Sequence, residues 1–286
     1  MASMRDIKRR KESVTSTQQI TKAMKLVATV KLQKAKARAE RNKPYFHALY
    51  KTICSILSKT ENIEHPYLKD NGSSRKAVIV ITSNKGLAGG YNANIIREVT
   101  GAGFSVQDTD IYAIGRKGAE GLARKGYTIL EDDSDAINEP LYKDAIDITN
   151  RVLESYTKGD VGEIYMAYTN FKNTVSQEAT LIKLLPLNLD ELPAEEEDDD
   201  GVLMNYEPEA EDALDMLIPK YISNLLYGAF VEALASENGA RMQAMDSATT
   251  NADNMISDLS LKYNRARQAS ITQELTEIIA GSEAIS

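Results

Sequence analysis

No glycine or proline occurs before Pro44. A breaker-free stretch of that length, rich in Ala, Lys, Arg, Gln and Met, commits the N-terminus to one long helix. Ser3 followed by Asp6 supplies an N-cap with an acidic partner at its third position. Apolar residues recur at heptad steps, Ile7 with Val14, Ile20 with Val27, and Ala23 with Val30 and Ala37. Between 20 and 32 the apolar residues cover more than one face, and a helix apolar on several sides must be enclosed on several sides. Pro44 is expected to kink the helix, with the helical pattern resuming through Tyr45–Leu57.

A second long helical pattern opens near Pro208-Glu209 and runs to about Ala280, with an early bend expected at Pro219. Met245, Ala252, Leu259 and Ala266 form one heptad row, and Ala248, Met255 and Ala269 another, an a/d seam with polar residues between. At 1.5 Å per residue such a helix is on the order of 100 Å long, more than a chain of this size can bury in one globule. The small residues of the seam permit close approach, so its mate is the N-terminal helix. Both helices adjoin the middle segment, which makes the pair antiparallel.

The middle has a different pattern. Lys76–Thr82 is a buried-strand run, followed by Ser83–Gly90 and a helix over Tyr91–Val99. Asp110–Ile114 predicts a strand, Gly118–Arg124 a helix, Tyr127–Leu130 a strand and Pro140–Tyr156 a helix. Glu163–Phe171 and Glu178–Leu187 are strand-rich around the polar turn Lys172–Gln177. Alternation of strand and helix implies a mostly parallel sheet with helices on it, closed by a hairpin-like pair. The expected fold class is therefore an α/β, Rossmann-like domain inserted between N- and C-terminal helices that pair as a long antiparallel coiled coil. The expected boundaries are a shaft helix at 1–58, the body at 75–190, an acidic loop at 190–206 and a second shaft helix at 207–286.

Charge and composition narrow the function. The net charge is −8, yet residues 1–43 hold 13 Lys/Arg against 3 Asp/Glu, and 190–215 hold 13 acids and no base. The basic helix invites a nucleic-acid reading through phosphate contacts, but 1–43 lack the aromatic residues that would stack bases, and the apolar breadth at 20–32 asks for a hydrophobic enclosure. No run approaches the ~18 apolar residues of a membrane span, and the charged start has no apolar core of a secretory signal. An organelle transit peptide is set aside because the lysine content and unbroken helical pattern argue against cleavage. The single cysteine, Cys54, excludes an internal disulfide and a cysteine-based zinc site, and is expected to be a small buried hydrophobe. His47 and His65 are expected at the surface or in helix packing, since no oriented partner is evident.

Lys85-Gly-Leu-Ala-Gly-Gly90, between a strand and a helix, invites a phosphate cradle. It lacks the order of a P-loop and of a dinucleotide fingerprint, so a tight strand-to-helix turn is the simpler reading. Gly115-Arg-Lys-Gly118 is weaker still. With no credible active site, a mechanical or scaffolding role is favoured over catalysis.

Four stretches carry a resemblance. Thr17-Gln-Gln-Ile-Thr-Lys-Ala-Met-Lys-Leu-Val-Ala28, Gly86-Leu-Ala-Gly-Gly90, Leu184-Leu-Pro-Leu187 and the tail Tyr263-Asn-Arg-Ala-Arg-Gln-Ala-Ser-Ile-Thr-Gln-Glu-Leu-Thr-Glu-Ile278 are similar, in order, to the gamma subunits of F-type ATP synthases. The two terminal motifs are the specific ones. The family's tail usually continues Gly-Ala where this chain has Gly281-Ser282, a small change at a helix end. The chain lacks the cysteine-bearing regulatory insertion of the chloroplast form, which points to a bacterial type.

The resemblance implies a non-catalytic central-stalk rotor without a cofactor, its shaft standing inside a ring of alternating alpha and beta subunits. The body would bind the epsilon subunit and the ring of proton-carrying c subunits, at the cytoplasmic face of the bacterial cell membrane and touching the membrane only through the complex. By motif match the shaft contacts are Lys22, Met24, Val27, Val30, Arg241, Arg267, Gln268, Thr272 and Glu274, with Val27, Val30 and Ala280 suited to an apolar bearing. The competing reading is a nucleotide-binding α/β enzyme carrying a coiled-coil oligomerisation arm; micromolar nucleotide binding dependent on Lys85 or Gly89 would distinguish it.

Overall fold

The computed structural model describes residues 4–59, 65–69, 71–187 and 210–283. Ser3 and the whole of the acidic loop expected at 190–206 lie outside the described residues. Helix α1 spans Met4–Lys59 and α5 spans Ala210–Glu283, each continuing through its internal proline, Pro44 and Pro219. Between them come β1 (Lys76–Ile81), α2 (Tyr91–Gly101), β2 (Thr109–Ile114), α3 (Arg116–Ala123), β3 (Thr128–Asp132), α4 (Tyr142–Thr157), β4 (Glu163–Phe171) and β5 (Gln177–Leu185). The chain divides into two compact units, residues 1–29 with 241–286, and residues 30–240.

The 30–240 unit is built on a five-stranded sheet of order β3-β2-β1-β4-β5. β1 pairs parallel with β2 and β4, β2 pairs parallel with β3, and β5 closes the sheet antiparallel to β4. The apolar run of β1 is unbroken because both of its faces are covered. Ala77, Ile79 and Ile81 face a cluster with α4, with Leu49–Ile56 of α1 and with Leu214–Ala233 of α5. Val78 and Val80 face α2 and α3 on the other side, through Ile95, Val99 and Leu122. Alternation along one strand thus feeds two cores.

Glycine is required where β1 meets α3. Gly115 has φ 116°, and a Cβ there would lie 2.1 Å from the Thr82 carbonyl oxygen. Thr82, fully buried, donates to the Gly115 carbonyl at 2.9 Å and accepts from the Gly118 N–H at 2.8 Å. Its hydroxyl adds a side-chain acceptor to the first turn of α3, where the Gly118 N–H also reaches the Gly115 carbonyl at 3.2 Å.

His65 takes the helix-packing alternative, and with it an oriented partner that the sequence did not display. It is buried rather than superficial; its Nδ1 accepts from the Tyr67 N–H at 3.2 Å, and its Nε2 lies 3.0 Å from Asp215 on α5. Because Nδ1 accepts, the proton of the neutral ring sits on Nε2 and is donated to the carboxylate. Cys54 is half-buried against the α1–α4–α5 cluster.

Candidate functional site

In the unit of residues 1–29 and 241–286, α1 and α5 run antiparallel. Gln18 bonds Asp253, Thr21 bonds Thr249, and Lys25 bonds Asp246, pairs whose numbers sum to 270 or 271. That constant sum is the register. On α5 the buried row is Met245, Ala252 and Leu259, as the heptads predict. Of the second expected row Ala248 is partly buried but Met255 and Ala269 are exposed; the row that continues inward is Thr249, Ile256, Tyr263 and Ser270, each partly buried.

α1 corrects the sequence reading in the same sense. Its inward positions here are Ile7, Lys11, Val14, Gln18, Thr21, Lys25 and Ala28, a row with polar members. Of the heptad pairs read from the sequence, Ile7 and Val14 lie on this row, but Ile20 and Val27 are 57% and 58% exposed, as is Leu26 of the broad apolar stretch at 63%. At 100° per residue Leu26 lies roughly opposite Thr21 and Ala28, while Ile20 and Val27 lie about 100° round the helix from them. The polar seam is tolerated because its members satisfy one another. The Thr21 and Thr249 hydroxyls are 2.8 Å apart, and Thr249 also donates to the Met245 carbonyl at 2.7 Å. Such pairs fix register at small net cost. The Lys25–Asp246 ion pair at 2.6 Å is solvent-exposed and contributes roughly 0.2–1 kcal/mol.

From the register, Met4 faces position 267, so α5 beyond that point outruns the described part of α1. Its residues 271–282 are all exposed, with Ile271, Leu275, Ile278 and Ile279 between 48% and 67%. Their i, i+4, i+7, i+8 spacing makes one apolar stripe. Of the residues singled out by motif, Lys22, Val27, Arg267, Gln268, Thr272 and Glu274 are exposed, while Met24 and Arg241 are partly buried. Gln268 and Thr272 are one turn apart, the Thr272 hydroxyl donating to the Gln268 carbonyl at 2.9 Å. Val30, the first residue of the other unit, is also exposed.

Within 30–240, the carboxyl ends of β1 and β2 are where an α/β sheet would hold a nucleotide. Here four amides around these strand ends are already engaged. Ser83 N–H donates to Asn92 at 3.0 Å, Tyr91 N–H to Ala88 at 3.2 Å, Arg116 N–H to Asn84 at 3.0 Å and Lys117 N–H to Ser83 at 3.1 Å. The glycine loop is a strand-to-helix turn, with Leu87 at φ 62° and Gly89 at φ 58°. Near the turn between β4 and β5, Gly239 of α5 leaves a Cβ position only 3.3 Å from the Gln177 amide, so a small residue lets helix and sheet approach. Among the described residues, no group of three or more His, Cys, Asp or Glu side chains is placed to hold a metal ion. No described helix is long and apolar enough to cross a membrane.

A family model described as ATP synthase matches residues 3–285. The ATP synthase gamma chain of Lachnoclostridium phytofermentans is 63% identical over the full length of both chains. A sodium-ion-specific ATP synthase gamma chain of Acetobacterium woodii is 40% identical, over 99% of this chain and 98% of its own. Among solved structures, a chain from the central stalk and c-ring of the Tetrahymena thermophila mitochondrial ATP synthase superposes with a TM-score of 0.58 at 26% identity, covering 80% of this chain and 99% of that one. The antiparallel terminal helices, the α/β unit between them and the end-to-end sequence match agree: this chain belongs to the ATP synthase gamma chains, the non-catalytic central-stalk subunits of that complex.

Proposed function

We propose that the chain is the turning shaft that couples a ring of ion-carrying c subunits to the nucleotide sites of an alternating alpha/beta ring. Residues 1–58 and 207–286 act as the shaft, and 75–190 as the body that seats the epsilon subunit and the c-ring. The observation that carries this reading is the outward apolar face of the paired helices. Ile20, Leu26 and Val27, with the α5 stripe from Ile271 to Ile279, are exposed in the free chain although the helices have already buried their shared seam. A partner that must slide past needs apolar contact without deep interlocking, and these aliphatic side chains provide it. The basic N-terminal helix, 13 Lys/Arg against 3 Asp/Glu in residues 1–43, would attract acidic loops of the beta subunits over a range of angles, because Coulomb attraction is weakly directional. Lys22, Met24, Val27, Val30, Arg241, Arg267, Gln268, Thr272 and Glu274 are the proposed ring contacts.

The complex would stand at the cytoplasmic face of a bacterial membrane, with this chain meeting the membrane only through its partners and no nucleic acid involved. The coupling ion is read as the proton; the chain's part is to transmit rotation rather than to select an ion. Coupled ATP synthesis by complexes carrying Arg241→Ala and Arg267→Ala together tests the contact set. Synthesis should fall while the free chain stays folded, and an unchanged rate would remove both residues from it. Against the enzyme reading stand the engaged amides of Ser83 and Tyr91, on either side of the glycine loop, and of Arg116 and Lys117 at the start of α3.

A further inference from the structure

The apolar rows of the helix pair do not by themselves choose its register. Ile7, Val14 and Ala28 lie on one heptad row of α1, interrupted by Thr21, and Met245, Ala252 and Leu259 lie on a heptad row of α5. Sliding one helix along the other by a heptad, about 10 Å, returns such rows to equivalent positions. The polar pairs across the seam tell the registers apart, and they are not equal in this.

Asp246 and Asp253 are seven residues apart, as are Gln18 and Lys25. A heptad slide in one direction sets Lys25 against Asp253, and in the other it sets Gln18 against Asp246. One carboxylate contact survives either way. Both contacts are solvent-exposed, so losing the other costs little.

Thr21 and Thr249 behave differently. The same slides bring Thr21 against Ile256 or Met242, and Thr249 against Ala28 or Val14, none of which carries a hydroxyl. Thr21 is buried. Each hydroxyl has one proton to give. That of Thr249 goes to the Met245 carbonyl at 2.7 Å, which makes Thr21 the donor across the seam at 2.8 Å, its fallback being its own Gln18 carbonyl at 3.0 Å. The relay from Thr21 through Thr249 to Met245 therefore closes in one register only. A single polar position in a coiled-coil seam specifies register in this way, at some cost in stability.

We propose that Thr21 and Thr249 are positioning residues of the shaft, holding α1 against sliding along α5 when the pair is turned. The inference rests on the shaft reading above. Two helices wound round each other must slide lengthwise as their winding changes, so torque loads this pair in shear. The proposed ring contacts are divided between the helices, Lys22, Met24 and Val27 on α1 and Arg267, Gln268, Thr272 and Glu274 on α5. A slide shifts one group against the other by about 1.5 Å per residue.

The test uses the assembled complex with Thr21→Val and Thr249→Val together, which removes both hydroxyls and keeps the shape of the side chains. In a Cys54→Ser background, Val14→Cys with Ile256→Cys reports the present register. Val14→Cys with Tyr263→Cys reports a heptad slide, because an offset of about 10 Å puts that pair beyond disulfide reach otherwise. During ATP hydrolysis the second cross-link should form roughly two- to tenfold faster in the valine complex than in its threonine parent, the factor set by one ordinary hydrogen bond. Coupled ATP synthesis should fall at least about twofold while hydrolysis is retained. Thr21→Ser with Thr249→Ser, which keeps both hydroxyls, should match the parent in both measurements. Three results overturn the proposal: a heptad cross-link no faster than in the parent, a faster cross-link with synthesis unchanged, or serine variants that behave like the valine ones. Failure of the shaft reading itself shows elsewhere, as synthesis unchanged by Arg241→Ala with Arg267→Ala.

Discussion

Replacing Leu26 and Val27 together by glutamine separates what the chain needs for itself from what it offers to others. In the free chain these side chains are 63% and 58% exposed, Leu26 on the side of α1 away from Thr21 and Ala28 and Val27 on its flank. Glutamine matches leucine in helix propensity and exceeds valine, so the backbone loses nothing. Exposed substitutions of this kind change stability by no more than about 0.5 kcal/mol. In the complex the same residues are proposed to lie against an apolar sleeve. Full burial of a Val or Leu side chain contributes about 1.5–3 kcal/mol, and more than half of each surface is still available, giving about 1–2 kcal/mol apiece. The double variant should therefore weaken retention of this chain by the alpha/beta ring by about 2–4 kcal/mol, a 30-fold or larger loss. Urea unfolding of the free chain and competitive reassembly with alpha and beta subunits measure the two quantities. A free chain destabilised by more than 2 kcal/mol, with reassembly unaffected, would mean that this face packs inside the molecule and would refute the enclosure argument.

Thr21→Val and Thr249→Val should each destabilise the paired helices by about 0.5–1.5 kcal/mol, and the double variant by less than the sum, because the two hydroxyls are partners; a double-mutant cycle in urea reads the coupling. Gly115→Ala should cost more than 3 kcal/mol or abolish folding, combining a φ of 116° with a backbone clash, whereas Gly90→Ala should be nearly neutral, its Cβ meeting nothing nearer than 3.5 Å. Tyr168 and Tyr221 both have pKa values raised to about 12, chiefly by burial. A raised folded-state pKa means the native state holds these protons more tightly. The associated stability is complete below pH 10, the unfolded value, and is lost as pH rises toward about 12, by roughly 2–3 kcal/mol per tyrosine. Ultraviolet titration should show two late-ionising phenols, and urea midpoints should fall between pH 9.5 and 11.5; midpoints flat over that range would contradict the burial of these rings.

The sequence by itself determined that both ends are long helices, since propensity and the absence of breakers are local properties that need no partner to act. It likewise determined the α/β order of the middle, whose strands at Lys76–Ile81 and Glu163–Phe171 declare themselves by apolar runs. The specific terminal motifs carried the family. Only the tertiary structure decided which face of each helix turns inward. Several rows of α1 satisfy heptad spacing, and hydrophobicity favoured Ile20, Val27 and Val30. The row through Thr21, Lys25 and Ala28 faces inward instead, because a polar seam position is acceptable once the opposite helix supplies its match, and Thr249 and Asp246 are set by a segment more than 200 residues away. His65 was illegible for the same reason, its partner Asp215 being remote in sequence. Local backbone preference is written along the chain, whereas the choice among faces, and the space left between them, is a property of pairs.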